Sequence, residues 1–349
     1  MPVRDVLIIG AGPSGLATAI AAKQHGLDAL VVEKGVIVDS IFRFPVHMVF
    51  FTTPELMEIG GLPLITPYDK PTRLEALRYY RRALEAFDLQ VVDHEAVIAI
   101  EPPSRPTAAS AGQGRSSGAS ASQGDEGVFA VSCRTERGAT RVREARAVVL
   151  AIGYYDHPVL LNVPGEDLPH VSHYYREAHP YYRKRVVIVG AKNSAAEAAL
   201  ELFRAGAHVT LVHRGTALGD SIKYWVRPDI ENRIKEGSIA ARFETTVKEI
   251  RPTEVLVEGP GGAESLAADA VLLMTGYRAD MTLMRNAGVE TDPETEGPRY
   301  DPETCETNVP NLFVAGGALA GKHTGTVFIE NGRFHGAKII ETLAPRLRG

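Results

Sequence analysis

This sequence has few cysteines, no long apolar run and no excess of basic residues, and each of these features excludes a class of protein. The 349 residues include two cysteines, Cys133 and Cys305, which form neither a disulfide framework nor a Cys-x-x-Cys motif. No apolar run reaches the roughly 18 residues of a transmembrane helix. The formal net charge of −5 argues against a general nucleic-acid partner. Since no signal peptide is recognised, we expect a cytoplasmic globular protein without a membrane partner.

The first motif in the chain is a dinucleotide-binding fingerprint. An apolar run from Val6 enters Gly10-Ala11-Gly12-Pro13-Ser14-Gly15, which is a G-x-G-x-x-G motif followed by helix-forming residues. The first glycine permits the turn, the second lets a pyrophosphate approach the backbone, and the third allows close packing of helix and strand. The next apolar run ends in Glu33, whose carboxylate can bind ribose hydroxyls and repels a 2′-phosphate. The first site is therefore predicted to bind FAD or NAD rather than NADP.

The same pattern of strand, turn and helix occurs a second time from residue 185 onwards. Its turn reads Gly190-Ala-Lys192-Asn193-Ser194-Ala195, so that only the first of the three glycines is retained. A helix-forming run, a glycine and another apolar strand follow in the same order as in the first copy. The chain therefore contains an internal repeat of the dinucleotide-binding unit.

The charge at the end of the second strand differs between the two copies. Alignment places His213 opposite Glu33 and Arg214 opposite Lys34. The acid that repels a 2′-phosphate is absent from the second copy, and a guanidinium binds a phosphate through two parallel hydrogen bonds. Lys223 lies a short way along the chain and adds positive charge. The second site is therefore predicted to bind NADPH, so that hydride passes from nicotinamide to flavin.

The order of the segments predicts one domain inserted into another. A final strand and a helix predicted over 326–343 complete the first domain. The predicted fold is therefore α/β, with two Rossmann-like dinucleotide-binding domains and the NADPH domain inserted into the FAD domain. The predicted bounds are 1–158 and 281–349 for the two parts of the FAD domain and 159–280 for the NADPH domain. Residues 102–127, rich in Ser, Ala and Gly, are predicted to be a disordered insertion in a hairpin.

Several segments carry a family resemblance. Ala151-Ile-Gly153 and Asn311-Leu-Phe-Val-Ala-Gly316-Gly317 resemble the strand-ending signatures of the thioredoxin-reductase type of flavoprotein disulfide reductases. Phe50-Phe51-Thr-Thr and Phe328-Ile-Glu330-Asn331-Gly332-Arg333 resemble the bacillithiol-disulfide-reductase-like, YpdA-type branch. The resemblance extends over nearly the whole chain and implies FAD and NADPH as cofactors.

The candidate site residues combine the motifs with this resemblance. For FAD they are Gly10, Gly12, Pro13, Ser14, Gly15, Glu33, Lys34, Val97, Gly153, Gly316 and Gly317. For NADPH they are Gly190, Asn193, Ser194, His213, Arg214 and Lys223. The candidate catalytic residues are Ser14, His47 and His323. The two histidines lie in segments expected near the flavin, where they could transfer protons, and Ser14 stands where several YpdA-type proteins carry a cysteine. No metal site is predicted.

The resemblance implies reduction of a low-molecular-weight thiol disulfide such as bacillithiol disulfide. Thioredoxin reductases use a Cys-x-x-Cys pair that this chain lacks, and Ser14 cannot form a mixed disulfide. An alternative is therefore a reductase that passes electrons to a ferredoxin- or flavodoxin-like carrier, since cysteine-free members of the fold do so. A flavin monooxygenase is less favoured, because residues 165–175 depart from the spacing of that family's motif. A redox-sensing or structural flavoprotein is the non-enzymatic alternative. The expected partners are a small disulfide or a small redox protein, and we expect a homo-oligomer.

Overall fold

The computed structural model describes residues 2–103 and 127–348. The chain divides into two compact units. The first unit comprises the described residues of Met1–Phe42, Val49–His157 and Arg278–Gly349, and the second comprises Arg43–Met48 and Pro158–Tyr277. Each unit contains a sheet with parallel strands at its centre, and the second unit is inserted into the first along the chain. The predicted α/β class, with one Rossmann-like unit inserted into another, is thereby confirmed.

The described residues form strands and helices in the following order. The strands are β1 (Arg4–Ile9), β2 (Ala29–Val32), β3 (Val91–Val92), β4 (Glu95–Glu101), β5 (Phe129–Thr135), β6 (Thr140–Leu150), β7 (Val171–Ser172), β8 (Arg185–Val189), β9 (His208–Val212), β10 (Ala240–Arg242), β11 (Thr246–Arg251), β12 (Glu254–Gly259), β13 (Gly262–Ala267), β14 (Ala270–Leu273) and β15 (Leu312–Val314). The helices are α1 (Pro13–Gln24), α2 (Asp39–Arg43), α3 (Arg73–Ala86), α4 (Asn193–Arg204), α5 (Arg227–Lys235), α6 (Thr282–Asn286), α7 (Ile329–Gly332) and α8 (His335–Arg348). Short 3₁₀ turns span Pro54–Leu56, His179–Tyr181 and Gly316–Ala320.

The sheet of the first unit combines parallel and antiparallel pairing through one long strand. The second half of β6 pairs in parallel with β1 and β15, and β1 continues through β2 to β3. The first half of β6 pairs antiparallel with β5, and β5 with β4. A parallel sheet covered on both faces requires uninterrupted apolar strands. Accordingly, Val6–Ile9 of β1 and Ala147–Leu150 of β6 are buried throughout.

The strands β4 and β5, which flank the predicted insertion, pair antiparallel with each other. The pairing brings Val97 of β4 opposite Cys133 of β5. Residues 104–126, which make up most of the predicted disordered insertion, lie outside the described residues.

The second unit repeats this design with separate sheets. Its parallel sheet has the strand order β10-β9-β8-β14-β7, and β11, β12 and β13 form an antiparallel meander. Helix α4 is rich in alanine and buries Ala195, Ala198 and Leu202 in the core of the unit. The buried strand β14 leads to Gly276, as β6 leads to Gly153 in the first unit. Both units therefore place a glycine shortly after the strand that lies beside the fingerprint strand.

The predicted single helix over 326–343 is wrong, because the structure has two helices, α7 and α8, in this region. A Cβ on Gly332, at the end of α7, would lie 3.0 Å from the Ser14 hydroxyl. Near the start of α8, Gly336 packs against the backbone of Thr18 in α1. Both glycines allow an approach to α1 that a side chain would prevent. Helical periodicity in the sequence carries no information about this packing, so it did not reveal the break.

The part of the chain that the structure describes contains neither a membrane-spanning helix nor a metal-binding cluster, and its cysteines are unpaired. None of its helices has the length and apolar character needed to cross a bilayer. It also brings together no group of three or more His, Cys, Asp or Glu side chains suited to a metal ion. Cys133 and Cys305 are free and buried. Burial raises the pKa of the Cys133 thiol to about 12 and also raises that of Cys305, so both remain protonated at neutral pH.

We expect the buried ion pair between Glu95 and Arg143 to stabilise the first unit. Glu95 is 1% exposed and accepts hydrogen bonds from Nε and Nη2 of Arg143 at 2.6 and 3.0 Å. Replacement of Arg143 by methionine leaves the buried carboxylate with only the half-exposed Arg141, 3.6 Å away, as its cationic partner. The change should lower the free energy of unfolding by about 3 kcal/mol at pH 7. Urea denaturation measures this loss.

The loss should shrink as the pH falls. Because Arg143 holds the pKa of folded Glu95 below its usual range, the pair contributes fully above the pKa of the unfolded carboxyl and loses its contribution in acid. The control is Lys248→Met, which breaks the exposed pair between Lys248 and Glu258 in the meander and should change stability little. Equal losses in the two variants would contradict the assignment.

Candidate nucleotide-binding sites

The turn between β1 and α1 has one open glycine between two that are closely packed. Gly10 has φ +107°, and a Cβ there would collide with the carbonyl of Ala151. A Cβ on Gly15 would collide with the carbonyl of Gly10. A Cβ on Gly12 would meet no protein atom within 4 Å, and α1 begins at the next residue, Pro13. The turn thus leaves space beside Gly12 at a helix N-terminus, which is a suitable place for a pyrophosphate.

Glu33 is anchored at the end of β2 beside this turn. Its two carboxylate oxygens accept hydrogen bonds from the Ala11 amide at 2.7 Å and the Gly35 amide at 2.8 Å. The residue is 7% exposed, and its burial raises the pKa of the carboxyl. A carboxylate offers about four acceptor positions, so Glu33 can still bind ribose hydroxyls while held by the backbone.

The other FAD candidates lie on several elements of the first unit. Lys34 follows Glu33 and forms an ion pair with Asp156 at 2.6 Å. Val97 is half-buried in β4. Gly153 follows β6, and the position of its Cβ is open. Gly317 instead packs against a ring, since a Cβ there would lie 2.8 Å from an edge atom of Tyr154.

Ser14 is packed among glycines rather than projecting freely. It is the second residue of α1, and its hydroxyl lies so close to Gly316 that a Cβ there would collide with it. The amide of Gly316 donates a hydrogen bond of 3.0 Å to Nδ1 of His335. Burial lowers the pKa of His335, which favours the neutral imidazole that can accept this bond. Sequence reasoning missed His335, because no motif spacing links it to a glycine 19 residues earlier.

The two candidate catalytic histidines lie in different units. His47 is exposed in the segment 43–48 of the second unit, where the neighbouring Val46 amide bonds to the carbonyl of Arg176. His323 is exposed in a turn of the first unit, and its carbonyl accepts a hydrogen bond from the Thr326 hydroxyl. Each is therefore accessible to solvent within its own unit.

The second turn keeps the geometry of the first although two of its glycines are replaced. Gly190 has φ +139°, and a Cβ there would collide with the carbonyl of Met274. Helix α4 begins at Asn193, three residues after this glycine, as α1 begins three residues after Gly10. Ser194 is exposed at the second position of α4. The first glycine alone is thus sufficient for the tight turn.

A basic cluster adjoins this second turn. Lys192 and Arg214 are exposed, and the side chain of neither makes a hydrogen bond or ion pair with any residue that the structure describes. His213 is half-buried; burial lowers its pKa, and the nearby charges of Arg214 and Lys192 lower it further. Sequence reasoning identified His213 and Arg214 but treated Lys192 only as a replacement for glycine. The three side chains together form a site suited to a phosphate group.

The structure gives Asn193 contacts that its sequence motif does not predict. Its Nδ2 donates to the carbonyl of Ser221 at 2.9 Å, and its Oδ1 accepts from the amide of Lys223 at 2.9 Å. Both polar atoms of this side chain are thus bonded within the protein, and Lys223 is held close to the start of α4.

Comparison with known proteins agrees with this arrangement. The family model for pyridine nucleotide-disulphide oxidoreductases matches residues 7–108 and 122–316. The chain belongs to this family. It is 40% identical to the bacilliredoxin reductase Bdr of Bacillus subtilis over 97% of each chain.

Two solved structures of this family are similar to the chain over its whole length. They are bacillithiol disulfide reductases Bdr (YpdA), one from Bacillus cereus and one from Staphylococcus aureus. The first has 39% identity and a TM-score of 0.90 and covers 99% of this chain and 100% of its own. The second has 36% identity and a TM-score of 0.87 and covers 99% of each chain. The resemblance to the YpdA-type branch of the oxidoreductases is therefore confirmed.

Gly12→Ala tests whether the space at the first turn receives a cofactor. Gly12 has φ −73°, which alanine adopts, and the added methyl group meets no protein atom. Thermal stability of the cofactor-free protein should therefore stay unchanged, while a methyl group at the pyrophosphate should weaken FAD binding by roughly tenfold or more. Flavin titration of the cofactor-free protein measures the affinity. Gly261→Ala, at another open glycine, is the control, and equal flavin affinities in the two variants would refute the assignment.

Proposed function

We propose that this oxidoreductase is an NADPH-dependent, FAD-containing reductase of a low-molecular-weight thiol disulfide such as bacillithiol disulfide. The observation that carries the proposal is the similarity, at 39% identity over the full length, to a bacillithiol disulfide reductase structure. In the proposed reaction one NADPH and one proton reduce one disulfide to two thiols, with release of NADP⁺. FAD, when bound, supplies the two-electron chemistry between these substrates. The protein supplies binding, orientation and protons.

The charges at the two turns support the assignment of the cofactors. Glu33 is a fixed acid at the first turn, where it suits the ribose hydroxyls of FAD. Lys192, His213 and Arg214 lie at the second turn, where no acid takes the place of Glu33. A 2′-phosphate is repelled by the first arrangement and attracted by the second, so we assign FAD to the first unit and NADPH to the second.

The thiols of the chain itself do not fit a role as electron relay. Cys133 and Cys305 are buried and have raised pKa values, and Ser14 offers a hydroxyl at the position of a cysteine in several YpdA-type proteins. We therefore propose that the disulfide is reduced without a mixed disulfide to the chain. His47 and His323 are the proposed proton donors, and the exposure of both histidines supports this role.

A second candidate acceptor is a small redox protein with a disulfide, because the Bacillus subtilis relative is a bacilliredoxin reductase. Transfer to a ferredoxin- or flavodoxin-like carrier and flavin monooxygenation have less support, since neither matches the activities for which these close relatives are named. We also propose that the enzyme is a cytoplasmic homo-oligomer. Its two free thiols fit a reducing compartment.

Anaerobic stopped-flow mixing tests the reaction. NADPH should bleach the absorbance of the bound flavin, and subsequent mixing with bacillithiol disulfide should restore it with one equivalent of disulfide consumed per NADPH. Oxidised bacilliredoxin and oxidised ferredoxin, in separate mixing experiments, distinguish the alternative acceptors. If bacillithiol disulfide does not restore the flavin absorbance faster than residual oxygen does, the proposed substrate is wrong. Failure of NADPH to bleach the flavin would refute the reductase assignment altogether.

Arg214→Ala should change the preference between the two nicotinamide nucleotides. Loss of a charge-assisted pair with the 2′-phosphate should raise KM for NADPH roughly tenfold or more and leave KM for NADH nearly unchanged. Steady-state kinetics with both nucleotides gives the ratio. Arg137→Ala, at an exposed arginine in a turn of the first unit, is the control. A similar rise for both nucleotides would show that Arg214 does not contact the 2′-phosphate.

A further inference from the structure

Each of the two fingerprint turns accepts an equivalent hydrogen bond from the loop that follows the second strand of its unit. In the first unit the amide of Val38 donates to the carbonyl of Ala11 at 3.0 Å. In the second unit the amide of Gly219 donates to the carbonyl of Ala191 at 2.8 Å. In both units the loop after the second strand of the repeat is thus attached to the turn. This hydrogen bond is therefore a feature that both copies of the repeated unit have in common.

The second unit adds an attachment that the first lacks. The first residue of α1 is Pro13, whose side chain has no hydrogen-bonding atom, whereas the first residue of α4 is Asn193. Its side chain bonds to the carbonyl of Ser221 and the amide of Lys223, each at 2.9 Å. The loop therefore has three hydrogen bonds to residues 191–193, and two of them depend on one side chain.

The loop also packs closely on the turn. A Cβ on Gly219 would lie 3.1 Å from the carbonyl oxygen of Ala191 and 3.2 Å from Cγ of Lys192. On the other side of the loop, the guanidinium of Arg227 donates to the carbonyl of Gly219 at 2.7 Å. Residues 219–223 are consequently held beside the start of α4, where the phosphates of a dinucleotide bind.

The charged groups at the start of α4 lie on both the turn and this loop. Lys223, on the loop, is close enough to Glu197 to lower the pKa of that carboxyl, although burial dominates and raises it to about 7. Lys192 and Arg214 lie at the turn and on the strand end next to it. The position of Lys223 relative to the other two cations thus depends on how the loop is held.

We propose that Asn193 is a positioning residue, which fixes residues 219–223 against the start of α4 as a clamp for the phosphates of the second nucleotide. This inference rests on the proposed binding of NADPH at the second turn. It revises the sequence-based expectation that Asn193 contacts the nucleotide itself. In the clamp, Asn193 acts through the loop backbone, and Lys223 supplies the charge.

Asn193→Ala tests the clamp in the flavin-loaded enzyme. Without nucleotide, hydrogen exchange of the Lys223 amide should be roughly tenfold faster, because its acceptor is removed. The Kd for NADP⁺ should rise roughly tenfold, and KM for NADPH should rise with kcat nearly unchanged. Trp225 is the only tryptophan in the sequence and follows Lys223 by two residues, so its fluorescence reports NADP⁺ binding at the loop. Flavin absorbance and circular dichroism verify that the variant is folded.

Two further variants are compared with it. Asn232→Ala removes an exposed asparagine on α5 of the same unit and should leave exchange and affinity unchanged. Asn193→Asp keeps an acceptor for the Lys223 amide and loses the donor to Ser221, so exchange at Lys223 should fall between wild type and Asn193→Ala. This second variant is measured by exchange alone, because its negative charge changes phosphate binding directly.

The outcomes separate positioning from direct contact. Faster exchange together with weaker NADP⁺ binding supports the clamp. Weaker binding with unchanged exchange would make Asn193 a direct ligand, and faster exchange with unchanged affinity would exclude the loop from the site; either overturns the proposal. If the wild-type enzyme does not bind NADP⁺, the clamp also fails. Binding of NADP⁺ without reduction of bacillithiol disulfide counts only against the proposed substrate.

Discussion

The structure depends on a close approach between a glycine and the backbone that follows a neighbouring strand. Gly10 meets the carbonyl of Ala151, and Gly190 meets the carbonyl of Met274. Any side chain at these positions would push the turn away from the sheet. Because the approach is possible, each helix begins three residues later with its N-terminal amides next to the ends of the parallel strands. Both candidate nucleotide sites are consequences of this one packing constraint.

The two copies of the turn then diverge in how the surrounding segments are held. In the first unit the carboxylate of Glu33 bonds to the amides of Ala11 and Gly35, so the acid that we propose to bind the ribose is part of the backbone network. In the second unit His213 has replaced the acid, and Asn193 provides side-chain bonds to the next loop instead. The change of charge and the change of attachment occur together, and both suit a ligand with an additional phosphate.

Sequence patterns predicted most of the frame because the frame depends on local periodicity. The buried stretches Val6–Ile9 of β1, Ala147–Leu150 of β6 and Val186–Val189 of β8 are continuous apolar runs. The glycine turns are short motifs with a steric reason for each retained residue. The single helix expected over 326–343 was wrong, since the structure interrupts it at residues 333–334, and Gly332 and Gly336 on either side of the break pack against α1. Those contacts join segments more than three hundred residues apart, and no local period encodes them.

Residue types and their spacing were sufficient to identify the α/β class, the internal repeat, the different charges at the two sites and the lack of a Cys-x-x-Cys pair. They did not show which polar groups remain free. Asn193 was expected at the nucleotide, yet its amide is bonded to residues 28 and 30 positions further along the chain. Lys192 was expected only to fill a glycine position, yet its ammonium has no partner among the described residues. A polar side chain bonds to whichever groups the fold places next to it. Only the tertiary structure could therefore decide which of these side chains remain available to a ligand.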